Sequence, residues 1–441
     1  MRILHTADWH LGHTLRDHSR EAEHEHFLRW LIGTVVAREV NALLIAGDVF
    51  DAANPPPSSL RRWFWFLGEL KRASPNVQVV VIAGNHDSAA RLVAPRELLA
   101  AFDVRVIGSI ERDANGRLRT QDLLVPLRNR AGDVAAWCVA IPFLRSSDVL
   151  ALLPSPSSAV AVDRTDYVLP RPGAATAPED VGDPLIDGMR ALHAEVFAAA
   201  QSVRTPGQAL VTMAHGYLVG GALSELSERK VLGGNQHALP IDLFPADCAY
   251  VALGHLHRPQ PVAGHEHVRY SGSPIPLSMP ERVHAHHVVF ADLDGERLAK
   301  TWSLRVPQLV PLVRLPEHGE HEPEAALAAV AALPPRDANM ADELRPLVEV
   351  AVRLPQPSPL LGERIARAIA DRNARLVRVE VILAGERGAP DATSRPTELA
   401  SLQPEDVFVR RYHRDHQGPV PEPLLTAFRE LLDSVQHEGG A

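Results

Sequence analysis

The chain has 441 residues, 46% hydrophobic and 22% charged, and a formal net charge of −9. This is the composition of a soluble globular protein of two or three domains, and it argues against a chain that binds nucleic acid by itself over a broad surface. Cys138 and Cys248 are the only cysteines, which rules out a disulfide framework, suits a reducing cytoplasm and marks both as core residues. No apolar run approaches the ~20 residues of a membrane span, and no signal peptide is expected ahead of the first strand.

In chain order, the apolar run Ile3 to Ala7 reads as a strand and ends in Asp8-Trp9-His10. Residues Ser19 to Arg38 read as a helix, with Phe27, Leu28, Leu31, Ile32 and Val35 at helical spacing and His24 and His26 expected in solvent. The run Ala42 to Ala46 suits a strand buried on both faces and releases Gly47-Asp48-Val49-Phe50-Asp51. Three prolines follow, and Ser58 can cap a helix reaching about Lys71. Its Trp63-Phe64-Trp65-Phe66 points all round the cylinder, so the helix is either sandwiched or half of a homodimer surface, and the second is favoured. Val77 to Ala83 ends in Gly84-Asn85-His86-Asp87. Leu123 to Leu127 and Ala135 to Val139 suggest a hairpin of edge strands.

Ser155 to Pro184 is rich in Pro, Ala, Ser and Asp and reads as a loop insertion without an assigned role. A helical pattern from Met189 to Gln201 leads into Leu210 to Ala214, which ends in His215-Gly216. Tyr250 to Leu253 ends in Gly254-His255-Leu256-His257. Tyr270-Ser271-Gly272-Ser273-Pro274 is turn chemistry, and His287 to Phe290 is strand-like. These residues, 1–305, form one expected domain. Residues 306–385 read as a small α+β domain in β-α-β-α-β order, with strands at Leu309 to Leu315, Leu347 to Leu354 and Leu376 to Leu383. Residues 386–402 are a linker, and 403–441 carry two amphipathic helices that dock on their own body or grip a partner helix.

Five β-like runs thus deliver Asp, Asn or His at the same end, beside glycines that permit close approach. Such residues, without thiolates, make an N/O site suited to Mn, Fe, Zn or Mg. Asp8, His10, Asp48, Asn85, His215, His255 and His257 exceed the needs of one ion, and two ions sharing a carboxylate would use all seven. A pair of this kind holds a phosphate ester and generates its nucleophile, leaving the departing oxygen in need of a proton donor. His86, adjacent to Asn85, is the candidate, and Ser273 is a lesser one for a role near the phosphate.

The five motifs DxH, GDxxD, GNHD, HG and GHxH resemble those of the calcineurin-like metallophosphoesterase superfamily. Within it, MRILHTADWHLG, AGDVFD, AGNHDS, ALGHLHRPQ and YSGSP look like the bacterial SbcD nuclease subunits, counterparts of the Mre-type DNA repair nucleases. The resemblance implies a four-layer α-β-β-α sandwich with a smaller α+β capping domain and a C-terminal helix pair. By motif, it implies that Asp8, His10 and His257 hold one metal, Asn85, His215 and His255 the other, and Asp48 bridges them. His86 would be the general acid and Asp87 an orienting neighbour, while Asp51 is left as an orienting residue, a DNA contact or a loop cap. The family further implies two manganese ions per chain, with Mg, Fe or Zn as substitutes, a homodimer, and association with SbcC, a coiled-coil ATPase. Its substrates would be double-stranded DNA ends, hairpins and single strands. A stand-alone phosphodiesterase for small esters would share the metal site but have no use for cap, linker and terminal helices. A scaffold with a decayed site is opposed by the complete ligand set.

Overall fold

The computed structural model describes residues 1–145, 148–149, 184–221, 239–356, 358, 360–383 and 412. The 155–184 stretch lies outside them except for the start of a helix at Pro184. The 386–402 linker and the 403–441 helices also lie outside them, apart from Tyr412.

Apolar runs such as Ala42 to Ala46 can be satisfied only between two layers, and the fold supplies them. The first sheet is built from β1 (Arg2–Thr6), β4 (Ala42–Ala46), β5 (Gln78–Ile82), β6 (Val104–Ile107), β13 (His287–Asp294) and β14 (Arg297–Arg305), in the order β14-β13-β1-β4-β5-β6, with a separate short ribbon of β2 (Thr14–Leu15) and β3 (His18–Ser19) after β1. The second contains β7 (Leu124–Arg128), β8 (Val134–Ala140), β9 (Ala209–His215), β10 (Cys248–Gly254), β11 (Gln260–Val262) and β12 (His265–Tyr270), in the order β11-β12-β10-β9-β8-β7. Residues Ile3, Leu44 and Val80 of the first sheet share one core with Met213, Val211 and Val251 of the second. His5 ties the sheets together: its Nδ1 lies 2.9 Å from Tyr250 Oη and its Nε2 3.2 Å from the Leu253 carbonyl. Burial lowers its pKa to about 3, so it serves there as a neutral ring.

Helices α1 (Glu21–Ala37) and α2 (Pro57–Ala73) cover the outer face of the first sheet through Phe27, Leu31, Trp63 and Phe66. Helix α5 (Pro184–Val203) covers the second through Leu192, Val196 and Phe197, completing the α-β-β-α layering. The short helices α3 (Ala89–Val93) and α4 (Arg96–Ala100) lie beside β6.

Local expectations change at three places. His24 is not solvated but fully buried, because it falls one turn before Phe27 and Leu28 on the inner stripe of α1. The β7–β8 pair is a hairpin, but only β7 is an edge strand, since β8 also pairs in parallel with β9. The aromatic run of α2 is split: Trp63 and Phe66, three residues apart, are buried, whereas Phe64 is 44% exposed.

The last sheet has three parallel strands, β15 (Leu312–Leu315), β16 (Leu347–Leu354) and β17 (Arg375–Leu383). Helices α6 (Pro323–Ala331) and α7 (Leu361–Ile369) connect them and bury Val330, Ile365 and Ile369 against Val348, Val350 and Val352. Among the described residues, no helix is long and apolar enough to cross a membrane.

Candidate metal centre

Strands β1, β4 and β5 run parallel in one sheet, as do β9 and β10 in the other, so their carboxyl ends gather five loops at one edge of the sandwich. Asp8, His10, Asp48 and His255 all have positive φ, between 48° and 110°. That region costs non-glycine residues on the order of 1–3 kcal/mol each, and persists only where surroundings impose it. Here backbone bonds impose it: Asp8 N–H donates to Gly47 O at 3.1 Å and His10 N–H to Asp48 O at 3.0 Å. Two glycines let the loops meet. A Cβ on Gly254 would lie 1.8 Å from Ala46 O, and one on Gly84 would lie 2.1 Å from Asp48 Oδ1.

All seven expected ligands converge. Atoms of Asp8, His10 and His257 lie within 4.8 Å of one another, as do those of Asp8, Asp48 and His215. Asn85 Oδ1 is 3.0 Å from His215 Nε2 and 3.1 Å from His255 Nδ1. Asp48 Oδ2 stands between the groups, 3.5 Å from both His10 Nε2 and His215 Nε2.

Hydrogen bonds behind the rings decide which nitrogen faces inward. His10 Nδ1 donates to Asp51 Oδ1 at 3.1 Å, His257 Nδ1 to Glu281 Oε1 at 3.2 Å, and His215 Nδ1 to Ala46 O at 2.8 Å. When neutral, each of these rings therefore turns a lone pair at Nε2 toward the centre. The Nε2 atoms of His10 and His215 then face oxygens that can only accept. Asp8 Oδ2 and His10 Nε2 are buried without a hydrogen-bond partner. Burial pushes the Asp8 carboxyl up to about 6, and, although burial works against it, the neighbouring Asp48 draws His215 up to about 9. These are the marks of a cluster that requires positive charge at its middle, and the N/O donor set fits divalent cations.

The chain's similarities agree with this geometry. Residues 1–259 match the family model described as calcineurin-like phosphoesterase, and residues 308–416 match the model described as type 5 capsule protein repressor C-terminal domain. The SbcD subunit of the SbcCD nuclease of Rhodobacter capsulatus is 39% identical over 412 residues, 93% of this chain and 94% of the relative. The chain belongs to the SbcD family of calcineurin-like phosphoesterases. Proteins with the same name from Escherichia coli K12 and Bacillus subtilis are 34% and 31% identical, over 318 and 446 residues. The first alignment covers 71% of this chain and 70% of the relative, the second 99% of each. Membership makes the chain a metal-dependent hydrolase of phosphate esters.

Around this SbcD-family centre, the remaining expected residues are placed as follows. His86 Nδ1 donates to Asp51 O at 2.8 Å and its backbone N–H to Asp48 Oδ1 at 2.8 Å. The His86 ring lies edge-on to His10, with centroids 4.8 Å apart. Asp87 is bonded to main chain. Its carboxylate accepts backbone N–H groups from Val49, Phe50 and Gly84, at 3.2, 3.0 and 2.9 Å, and so joins the loop carrying Asp48 to the loop carrying Asn85. Asp51 sits on His10 and, at 3.0 Å, on His13. Ser273 Oγ is buried 3.4 Å from both Glu281 Oε2 and His286 Nδ1. Gly272 is required beside it: φ is +71° and a Cβ would fall 2.5 Å from His257 O.

Two functional neighbours, His13 and Glu281, escape the sequence. Glu281 is fully buried and held at about 2; burial opposes its charge, but His257 and the Leu277 N–H favour it more. It comes 24 residues after His257, in a single 3-10 turn (Pro280–Val283) too short for periodicity to point to it. His13 lies just past the DxH motif, and only its tertiary contacts, with Asp51 and Leu277 O, give it meaning.

Proposed function

We propose that this chain is the nuclease component of an SbcCD-type complex, hydrolysing DNA phosphodiesters at a centre of two cations bridged by Asp48. The observation that carries this reading is one carboxylate oxygen, Asp48 Oδ2, 3.5 Å from a histidine nitrogen of each ligand group. Asp8, His10 and His257 would hold one cation, and Asn85, His215 and His255 the other. Manganese suits this donor set, with magnesium, iron or zinc as substitutes. Two such ions supply charge that polarises the phosphate and makes water a nucleophile near neutral pH. The residues do the rest: Asp51 and Glu281 hold His10 and His257 in the right tautomer, Asp87 clamps two ligand loops together, and His86 presents Nε2 to protonate the departing oxygen.

Residues 306–385 act as the cap that positions DNA over the centre. Residues 386–402 tether the 403–441 segment to the coiled coil of an SbcC ATPase. A partner that contributes duplex-binding surface resolves the difficulty of a net charge of −9. The relatives' name, which makes them one component of SbcCD, supports such a partner, and a DNA substrate implies action in the cytoplasm. Removing residues 404–441 should abolish copurification with SbcC while sparing manganese-dependent cutting of single strands; unchanged copurification would remove that segment from the partner interface.

A homodimer is part of the reading. Phe64, Leu98 and Phe102 are 44%, 66% and 53% exposed and line one apolar groove of about 460 Å³ with Leu67, Leu99 and Val104. Apolar side chains this exposed and contiguous suit a second copy packing α2 and α4 against their equivalents. Sedimentation of the isolated chain should give a dimer at micromolar concentration, and Leu98→Asp should weaken it by at least ~30-fold, the effect of losing a central anchor. A monomeric wild type ends the idea.

The test of function is cleavage of hairpin-ended duplex with manganese and after chelation, with and without SbcC and ATP, beside bis-p-nitrophenyl phosphate. Manganese-dependent opening boosted by partner and ATP is the expected result. Turnover of the small ester with DNA untouched throughout would overturn it.

A further inference from the structure

The two histidine groups are supported differently. His215 is pinned by a main-chain carbonyl of β4, Ala46 O, and Asn85 lies between His215 and His255. His10 and His257 are instead held by side-chain carboxylates, Asp51 and Glu281, 3.1 and 3.2 Å away. Both supports lead to the same residue. His13 stands between two acceptors, Nδ1 3.0 Å from Asp51 Oδ1 and Nε2 2.9 Å from Leu277 O, and links them when both ring nitrogens carry a hydrogen, while Leu277 N–H donates to Glu281 Oε2 at 2.8 Å.

Leu277 is itself held in place. Arg20, fully buried and paired with Glu23, donates to Pro276 O at 2.7 Å. Ser278 Oγ donates to Glu281 Oε1 at 3.2 Å and Ser273 Oγ to its Oε2 at 3.4 Å. Met279, two residues on, is buried with Leu15, Val310, Leu312 and Leu347, so the segment also rests on the sheet of β15–β17. A buried carboxylate with four donors is fixed in orientation, and its removal leaves those donors unpaired.

We propose that Glu281 and His13 are positioning residues that hold His10 and His257 through the two faces of the Leu277 backbone, and that they serve one cation only. This rests on the two-cation reading of the centre. Glu281 sets the His257 ring from behind while His13 braces Asp51 against His10, so the cation of Asp8, His10 and His257 depends on the Pro276–Glu281 segment. The cation of Asn85, His215 and His255 does not.

Calorimetric titration of the full-length chain with manganese tests this without reference to activity. Wild type should bind two ions. Glu281→Gln keeps the size of the side chain but cannot accept both the His257 and the Leu277 N–H, and should weaken one ion by about 10–100-fold, the usual effect of losing an outer support, leaving the other unchanged. His13→Gln, on a partly exposed ring outside the ligand set, should weaken the same ion in the same direction. The double variant should cost less than the two effects combined, because both act through Leu277. Two ions bound with wild-type affinity by Glu281→Gln, or both ions weakened alike, would overturn the proposal. A wild-type chain that binds fewer than two ions would instead overturn the two-cation reading beneath it.

Discussion

Asp48→Ala should weaken both cations rather than one, leaving at most a single weakly bound manganese per chain and lowering hydrolysis by at least ~1,000-fold, or about 4 kcal/mol of barrier. Two divalent charges about 4 Å apart repel by on the order of 15 kcal/mol even at an effective dielectric of ~20. A carboxylate shared between them is the natural offset, and Asp48 Oδ2 is equidistant, at 3.5 Å, from a nitrogen of each group. The only other carboxylate among the seven expected ligands is Asp8, grouped with both His257 and His215. Removing Asp48 therefore halves the negative charge that the ligand set offers. It also frees the His86 N–H, which donates to Asp48 Oδ1 at 2.8 Å. Calorimetry with manganese reads the outcome directly. A variant that still binds two ions per chain sinks the bridging assignment, whatever happens to its rate.

What could be read before the structure was the convergence of the candidate ligands, because parallel strands announce themselves as apolar runs and their carboxyl ends are where chemistry collects. Asp8, Asp48, Asn85, His215 and His255 each follow such a run directly, so local pattern alone located them. Their supports are another matter. Glu281 reaches His257 across 24 residues, and His13 reaches Leu277 across 264; contacts of that span are products of the tertiary fold and leave no period in the chain. His24 departs from expectation for a different reason. Its spacing with Phe27, Leu28 and Leu31 placed it on the buried stripe of α1, and its polarity argued for solvent; position decided, as it did for Glu23, which is buried against Arg20. The aromatic run of α2 shows the converse, since Trp63 and Phe66 obeyed helical spacing and left Phe64 on the surface.

His86→Ala should retain two cations yet lose about 100- to 10,000-fold in DNA cleavage, the range expected when a general acid is removed. The geometry makes this a sharp choice, because His86 also lies within 4.8 Å of His10 and Asp48 in a grouping that could ligate. Its Nδ1–H is committed to Asp51 O at 2.8 Å, which turns Nε2 toward the centre as either acid or ligand. The leaving group separates the two. A DNA sugar oxygen departs as a strongly basic alkoxide and needs a proton, whereas p-nitrophenolate is a stable anion and departs without one. As an acid, His86 should be dispensable for bis-p-nitrophenyl phosphate to within a few-fold and indispensable for DNA, with manganese stoichiometry unchanged. As a ligand, its loss should remove an ion and depress both substrates together. Equal losses on the two esters with one ion missing would transfer His86 to the metal, and the proton for the departing oxygen would have to come from elsewhere.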